Sequence, residues 1–170
     1  LTQSNNDPIV GDSYGSMLVD TNTTTLPTNV SGTGVTWNLV GLTYTDSLVT
    51  TNTYSTAASS ANSANYPGTN LVLTDSTVTT YYKTSTNKLE LLGVDAGFFD
   101  LNYNANAVNV ANYPMAYGYT DTDVLVGGTI SVPQFTLSGP FSGTVVTNVD
   151  GSGTMNLNGI TTLSNCLRVK

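Results

Sequence analysis

The scarcity of charged helix formers is what most restricts this chain. It holds a single glutamate, Glu90, and three lysines, while Thr, Val, Tyr and Asn recur from end to end. β-branched and aromatic residues fit a pleated, half-buried surface better than a helix, so the composition calls for strands joined by turns. Sixteen Gly and six Pro divide the 170 residues into segments of about 8 to 12, the spacing of sandwiches and barrels. The expected fold is all-β: an antiparallel β-sandwich, jelly-roll-like or Ig-like, with little or no helix. Residues 1–170 fit one domain, long enough to bury a core without metals or disulfides.

Alternation locates the strands. Val78, Thr80 and Tyr82 share one face of Thr77 to Lys83, and Leu89 and Leu91 share one face of Asn87 to Leu92, with a polar turn at Thr84 to Thr86 between them. Phe135 and Leu137 alternate in Pro133 to Ser138. Thr144 to Val149 leads through Asp150-Gly151 into Gly153 to Leu157, which reads as a hairpin because Asp-Gly suits a tight turn. In the last segment Leu163, Asn165, Leu167 and Val169 fall on one face, with Cys166 on the other. Ala57 to Tyr66 is the one helical candidate. Its Ser and Asn residues compete for backbone hydrogen bonds, so a loop with at most a turn is expected.

Charge narrows the partners. Four basic and eleven acidic residues give a net charge of -7, which repels phosphate backbones and anionic lipid, so nucleic acid is not an expected partner. No run approaches the ~18 apolar residues of a membrane helix, so no membrane insertion is expected. The charged fraction is only 9%, against roughly a quarter in ordinary domains, leaving Thr, Asn and Ser to solubilise the surface, as in exported proteins. The chain begins at Leu1 and carries no basic-then-apolar leader, as expected once a signal peptide has been removed.

Histidine is absent, which removes the usual general base, the Ser-His-Asp and Cys-His arrangements and the commonest transition-metal ligand. A non-enzymatic protein is expected. Cys166 is the single cysteine, so no intrachain disulfide can form, and nothing near it in sequence marks an activated thiol. Carboxylate pairs for glycoside hydrolysis would be Asp121 with Asp123, or Asp95 with Asp100, a spacing that also suits solvated turns. Calcium is the one cofactor the acids suggest, through Asp121 and Asp123, since hard oxygen ligands on loops suit it. Tyr113, Tyr117 and Tyr119 form a candidate ligand-binding cluster, although Tyr also packs well on sheets.

Three stretches carry a family resemblance: Gly34-Val35-Thr36-Trp37-Asn38-Leu39-Val40-Gly41-Leu42; Tyr81-Tyr82-Lys83 through Leu89-Glu90-Leu91-Leu92-Gly93 with Tyr113-Pro114-Met115-Ala116-Tyr117-Gly118; and Val149-Asp150-Gly151-Ser152-Gly153 through Asn165-Cys166-Leu167-Arg168-Val169-Lys170. Together they resemble secreted Bacteroidota proteins exported by the type IX secretion system, in the domain that precedes a C-terminal sorting domain. The resemblance implies a secreted, cell-surface or extracellular location, and no catalytic residues. It also implies O-glycosylation at Asp-Ser motifs, placing candidates at Ser47 and Ser76. The expected role is an adhesive or structural module of the cell surface or extracellular matrix, with self-assembly into a fibre or sheath as a variant. The alternative is a carbohydrate-binding module, with or without calcium. The expected partners are other surface proteins, glycans or copies of the chain itself.

Overall fold

Thr- and Val-rich segments become strands throughout a computed structural model that describes residues 1–16, 18, 20, 30–43, 50–157 and 161–170. The strands are β1 (Ser13–Ser16), β2 (Gly32–Leu39), β3 (Thr50–Ser55), β4 (Leu71–Asp75), β5 (Val78–Ser85), β6 (Lys88–Asp95), β7 (Asp100–Asn102), β8 (Val108–Asn112), β9 (Thr120–Val132), β10 (Leu137–Leu157) and β11 (Thr161–Val169). Helix among the described residues is confined to four 3-10 turns, at Gln3–Asn5, Ala57–Ser59, Ser63–Asn65 and Pro133–Phe135. The all-β class holds, and the Ala57 to Tyr66 segment is a loop with two such turns. None of the described helices is long and apolar enough to cross a membrane.

The eleven strands are hydrogen-bonded into one connected sheet, in the order β1-β3-β4-β5-β6-β7-β9-β10-β11, with β8 attached to β6 and β2 to β10. Among the described residues all pairings are antiparallel except β2 with β10. The pairing defines a single branched sheet; it does not of itself define two facing layers. The β5–β6 hairpin forms where the alternation places it, with β5 running two residues further so that Thr86 and Asn87 make the turn. Asn87 supplies the positive φ of 59° that this turn needs.

Two of the strand expectations fail, one within β10 and one just before it. Asp150-Gly151 is not a hairpin turn: β10 passes straight through it, pairing with β9 from Leu137 to Asn148 and then lying between β11 and β2 from Gly151 to Leu157. The glycines serve interstrand approach instead. A Cβ on Gly153 would lie 1.8 Å from the Val35 carbonyl oxygen of β2, and one on Gly151 would lie 2.8 Å from the Trp37 ring. Asp150 accepts both Arg168 Nε at 2.6 Å and an Arg168 terminal nitrogen at 2.7 Å, which ties β10 to β11. Pro133–Phe135 is a 3-10 turn rather than a strand, because a proline with fixed φ and no N–H starts such turns readily. Phe135 and Leu137 are accordingly 68% and 63% exposed.

The closing strand forms, but its alternation breaks at Asn165, which takes φ of 59°. Met155 pairs with Leu163 and Gly153 with Cys166, so one extra residue is inserted in β11. Cys166 therefore shares a face with Leu163, and Leu167 turns to the opposite one.

The core lies on two sides of the central strands. Leu89, Ala111, Tyr113, Met115 and Val149 form one buried cluster, flanked by Leu1, Tyr82, Tyr119 and Leu167; Tyr66, Val72, Tyr81 and Leu92 form the other. Adjacent Tyr81 and Tyr82 thus belong to different clusters. Tyr66 and Tyr81 stack at 4.0 Å between centroids, and Trp37 is buried as its size suggests.

Candidate functional site

The three tyrosines from the Tyr113 to Tyr119 segment occupy different environments. Tyr113, which precedes Pro114 through a cis peptide, is buried. Its hydroxyl donates to Asp7 Oδ1 at 2.5 Å and accepts from Asn6 Nδ2 at 2.5 Å. Burial first, and the Asp7 contact second, push its pKa up to about 12. Tyr119 is half-buried against the first cluster, and burial and the Asp121 carboxylate raise its pKa. Tyr117 alone presents its ring to solvent, at 49% exposure.

Asp121 and Asp123 share a face of β9, two residues apart, and both turn toward Asn109 of β8. The Asn109 backbone N–H donates to Asp123 Oδ2 at 2.7 Å, and its side-chain amide donates to Asp121 Oδ2. Asp121 Oδ1 accepts from the Thr122 N–H at 3.0 Å. Two of the four carboxylate oxygens therefore join β8 to β9, and a third is held within β9 by the neighbouring Thr122. The Asn109 Oδ1 is buried without a hydrogen-bond partner. Hard oxygens are gathered here, but no group of three acidic or thiol side chains suited to a metal occurs among the described residues.

Asp95 and Asp100 face each other as register partners at the base of the β6–β7 turn. Asp95 accepts from Gly97 N–H at 2.9 Å and Asn62 Nδ2 at 2.6 Å. Burial, then the charge of Asp95 and a hydrogen bond to it, raise the Asp100 pKa. Ser76 is exposed at the tip of the β4–β5 hairpin with φ of 46°. Ser47 lies outside the described residues.

A further site was not visible in the sequence. Tyr14 of β1 pairs with Asn52 of β3, and Tyr54 follows two residues later on the same face. The Tyr14 and Tyr54 rings lie 6.2 Å apart, tilted by 43°. Tyr82 adjoins them: its pKa is pushed up to about 12, by burial first and then by Tyr54 and Tyr14. The N-terminal segment closes the other side. Tyr113 and Gln3 both donate to Asp7, and Gln3 also donates to the Ser85 carbonyl at 2.7 Å, which holds the segment to the β5–β6 hairpin. Between the segment and the rings lies an open cleft of about 370 Å³, lined by Asn5, Asn6, Asp12, Tyr14 and Tyr54 among others.

Asp12 shapes the rim of this cleft, its Oδ2 accepting from Ile9 N–H at 2.9 Å and its carbonyl accepting from Tyr54 N–H. No pattern within either segment announces the pairing of residues 13–16 with 50–53, because the contact is made across a long stretch of chain. Tyr14 beside Gly11-Asp12 was the available signal, a turn followed by an aromatic.

The fold and its sites define an all-β protein with polar, tyrosine-bearing clefts. Compared with known proteins, the chain matches no family model, no curated protein and no solved structure.

Proposed function

We propose that this protein is a non-enzymatic, secreted module of the cell surface or extracellular matrix, with an adhesive or structural role exercised through association with copies of itself. The observation that carries the reading is the β9–β10 hairpin. No charged residue lies between Asp123 and Asp150, although the chain as a whole carries a net charge of -7. Val124, Val126 and Val146 project from the hairpin to solvent, as do Phe135 and Leu137 at its tip. Among the described residues, β10 pairs only with β9 from Leu137 to Thr147, which leaves a strand edge open. Native edges are commonly blunted with charge or proline. This one carries Pro140 but no charge, so Gly143 to Thr147 retains its pairing groups.

Export by the type IX route, with glycosylation at Ser47 and Ser76, belongs to the same proposal and rests on the sequence resemblance. The test is sedimentation velocity and electron microscopy of the purified protein. Concentration-dependent oligomers or fibres that disappear in Val124→Lys/Val146→Lys support the reading; a monomer at all concentrations refutes it.

Glycan binding is the second reading. The observation favouring it is the cleft beside Tyr14 and Tyr54, since Tyr113 and Tyr119 are built into the core and Tyr117 stands alone.

A further inference from the structure

We propose that the cleft between residues 5–8 and the Tyr14–Tyr54 pair binds a neutral hexopyranose unit of a glycan. This inference rests on the glycan-binding reading and gives it a place and a ligand class. A pyranose ring has an apolar C–H face and a rim of hydroxyls, so its site needs an aromatic surface beside fixed hydrogen-bonding groups. The cleft has both. Tyr14 is half exposed and Tyr54 partly so, their tilted rings forming one wall.

The opposite wall supplies polar atoms with no hydrogen bond among the described residues: Asn5 Nδ2, Asn6 Oδ1 and Asp12 Oδ1, each on a side chain whose other terminal atom is already anchored. Asn5 Oδ1 accepts from Thr2 N–H, Asn6 Nδ2 donates to Tyr113, and Asp12 Oδ2 accepts from Ile9 N–H. Side chains pinned at one atom and open at the other are preorganised, which lowers the entropic cost of binding.

Charge selects within the class. Asp7 and Asp12 border the cleft and oppose uronic, sialic or sulfated sugars. Both Asp7 oxygens are committed to Tyr113 and Gln3, so only one carboxylate oxygen is free. That accepts a hydroxyl proton but is a weak basis for desolvating a cation. The cleft volume sits near the lower end of the roughly 300–1,000 Å³ of small-molecule sites, which suits a single terminal unit rather than a long chain.

The experiment is titration calorimetry of the full chain against cello-, malto-, manno-, galacto- and chito-oligosaccharides, alongside alginate, polygalacturonate and a lysine-rich peptide. At least one neutral series binds, the anionic polymers do not, and Tyr14→Ala or Tyr54→Ala weakens binding about tenfold, near the upper end of what one aromatic contact contributes. Tyr14→Phe retains most of the affinity and controls for folding, and Tyr117→Ala leaves it unchanged. Neutral sugars that bind with undiminished affinity to both alanine variants would overturn the site while leaving the glycan reading in place. Absence of any glycan binding overturns both, and preference for the anionic polymers or the peptide overturns the ligand class.

Discussion

Gly153 sits where two backbones come nearer than any side chain permits. A methyl group there would meet the Val35 carbonyl oxygen at 1.8 Å and its amide nitrogen at 2.7 Å, and neither can rotate aside as a flexible side chain would. Relief requires β2 to move off β10, so Gly153→Ala costs about 3 kcal/mol or more, at the upper end of ordinary overpacking. Denaturant unfolding measures it; a change below about 1 kcal/mol would mean that β2 does not pack against β10 as described.

Asp100 makes a different demand. Its pKa is raised, by burial first and by Asp95 second, so the folded state holds this proton more tightly than the unfolded chain. Stability from this group therefore falls as pH rises from the ordinary aspartate range through the raised value. Asp100→Asn, which keeps a donor toward Asp95 without the charge, raises the unfolding midpoint at neutral pH. Its advantage shrinks as pH drops into the ordinary range, and thermal melts across that interval check the trend.

Among elements, β10 shows how far sequence pattern reaches. Alternation located the β5–β6 hairpin because both strands and their turn are local, and each residue's face follows from its neighbours. The same rules misread Asp150-Gly151, since an Asp-Gly pair is turn chemistry only when nothing else requires those residues. Here Gly151 makes space for the Trp37 ring and Asp150 binds Arg168 and Lys170 across from β11. Both partners lie outside the local window. Tyr14 and Tyr54 were missed for the same reason: their cleft exists only after β1 pairs with β3.

The Asp150 clamp has its own pH signature. Hydrogen bonds from Arg168 and then Lys170 lower the Asp150 pKa to about 2, so the stability it contributes is complete above the ordinary aspartate value of about 3.9 and is lost as pH falls through about 2. Asp150→Asn lowers the melting temperature at neutral pH, and the gap from the parent protein closes toward pH 2. A gap independent of pH would show that charge at this position is not what joins β10 to β11.

For the whole molecule, charge distribution sets the conditions under which the proposed contact between copies would form. The acidic excess repels copies at long range, whereas the part of the β9–β10 hairpin between Asp123 and Asp150 carries no charge and offers Val124, Val126, Val146 and an open strand edge. Long-range repulsion is screened by salt, with a Debye length of about 10 Å at 0.1 M and 3 Å at 1 M, while apolar contact and main-chain pairing are not weakened by that screening. Association through the hairpin should therefore strengthen as sodium chloride is raised. It should strengthen again as pH approaches the sequence pI of about 4.1, where net repulsion vanishes. An assembly held by intermolecular ion pairs behaves oppositely on both axes, dissociating with salt and with protonation of its carboxylates. Sedimentation velocity across the two series separates these cases, and Val124→Lys/Val146→Lys adds a control: the substituted side chains are already exposed, so the fold is retained while two charges enter the proposed contact. If this variant assembles as readily as the parent, the hairpin is not the contact surface.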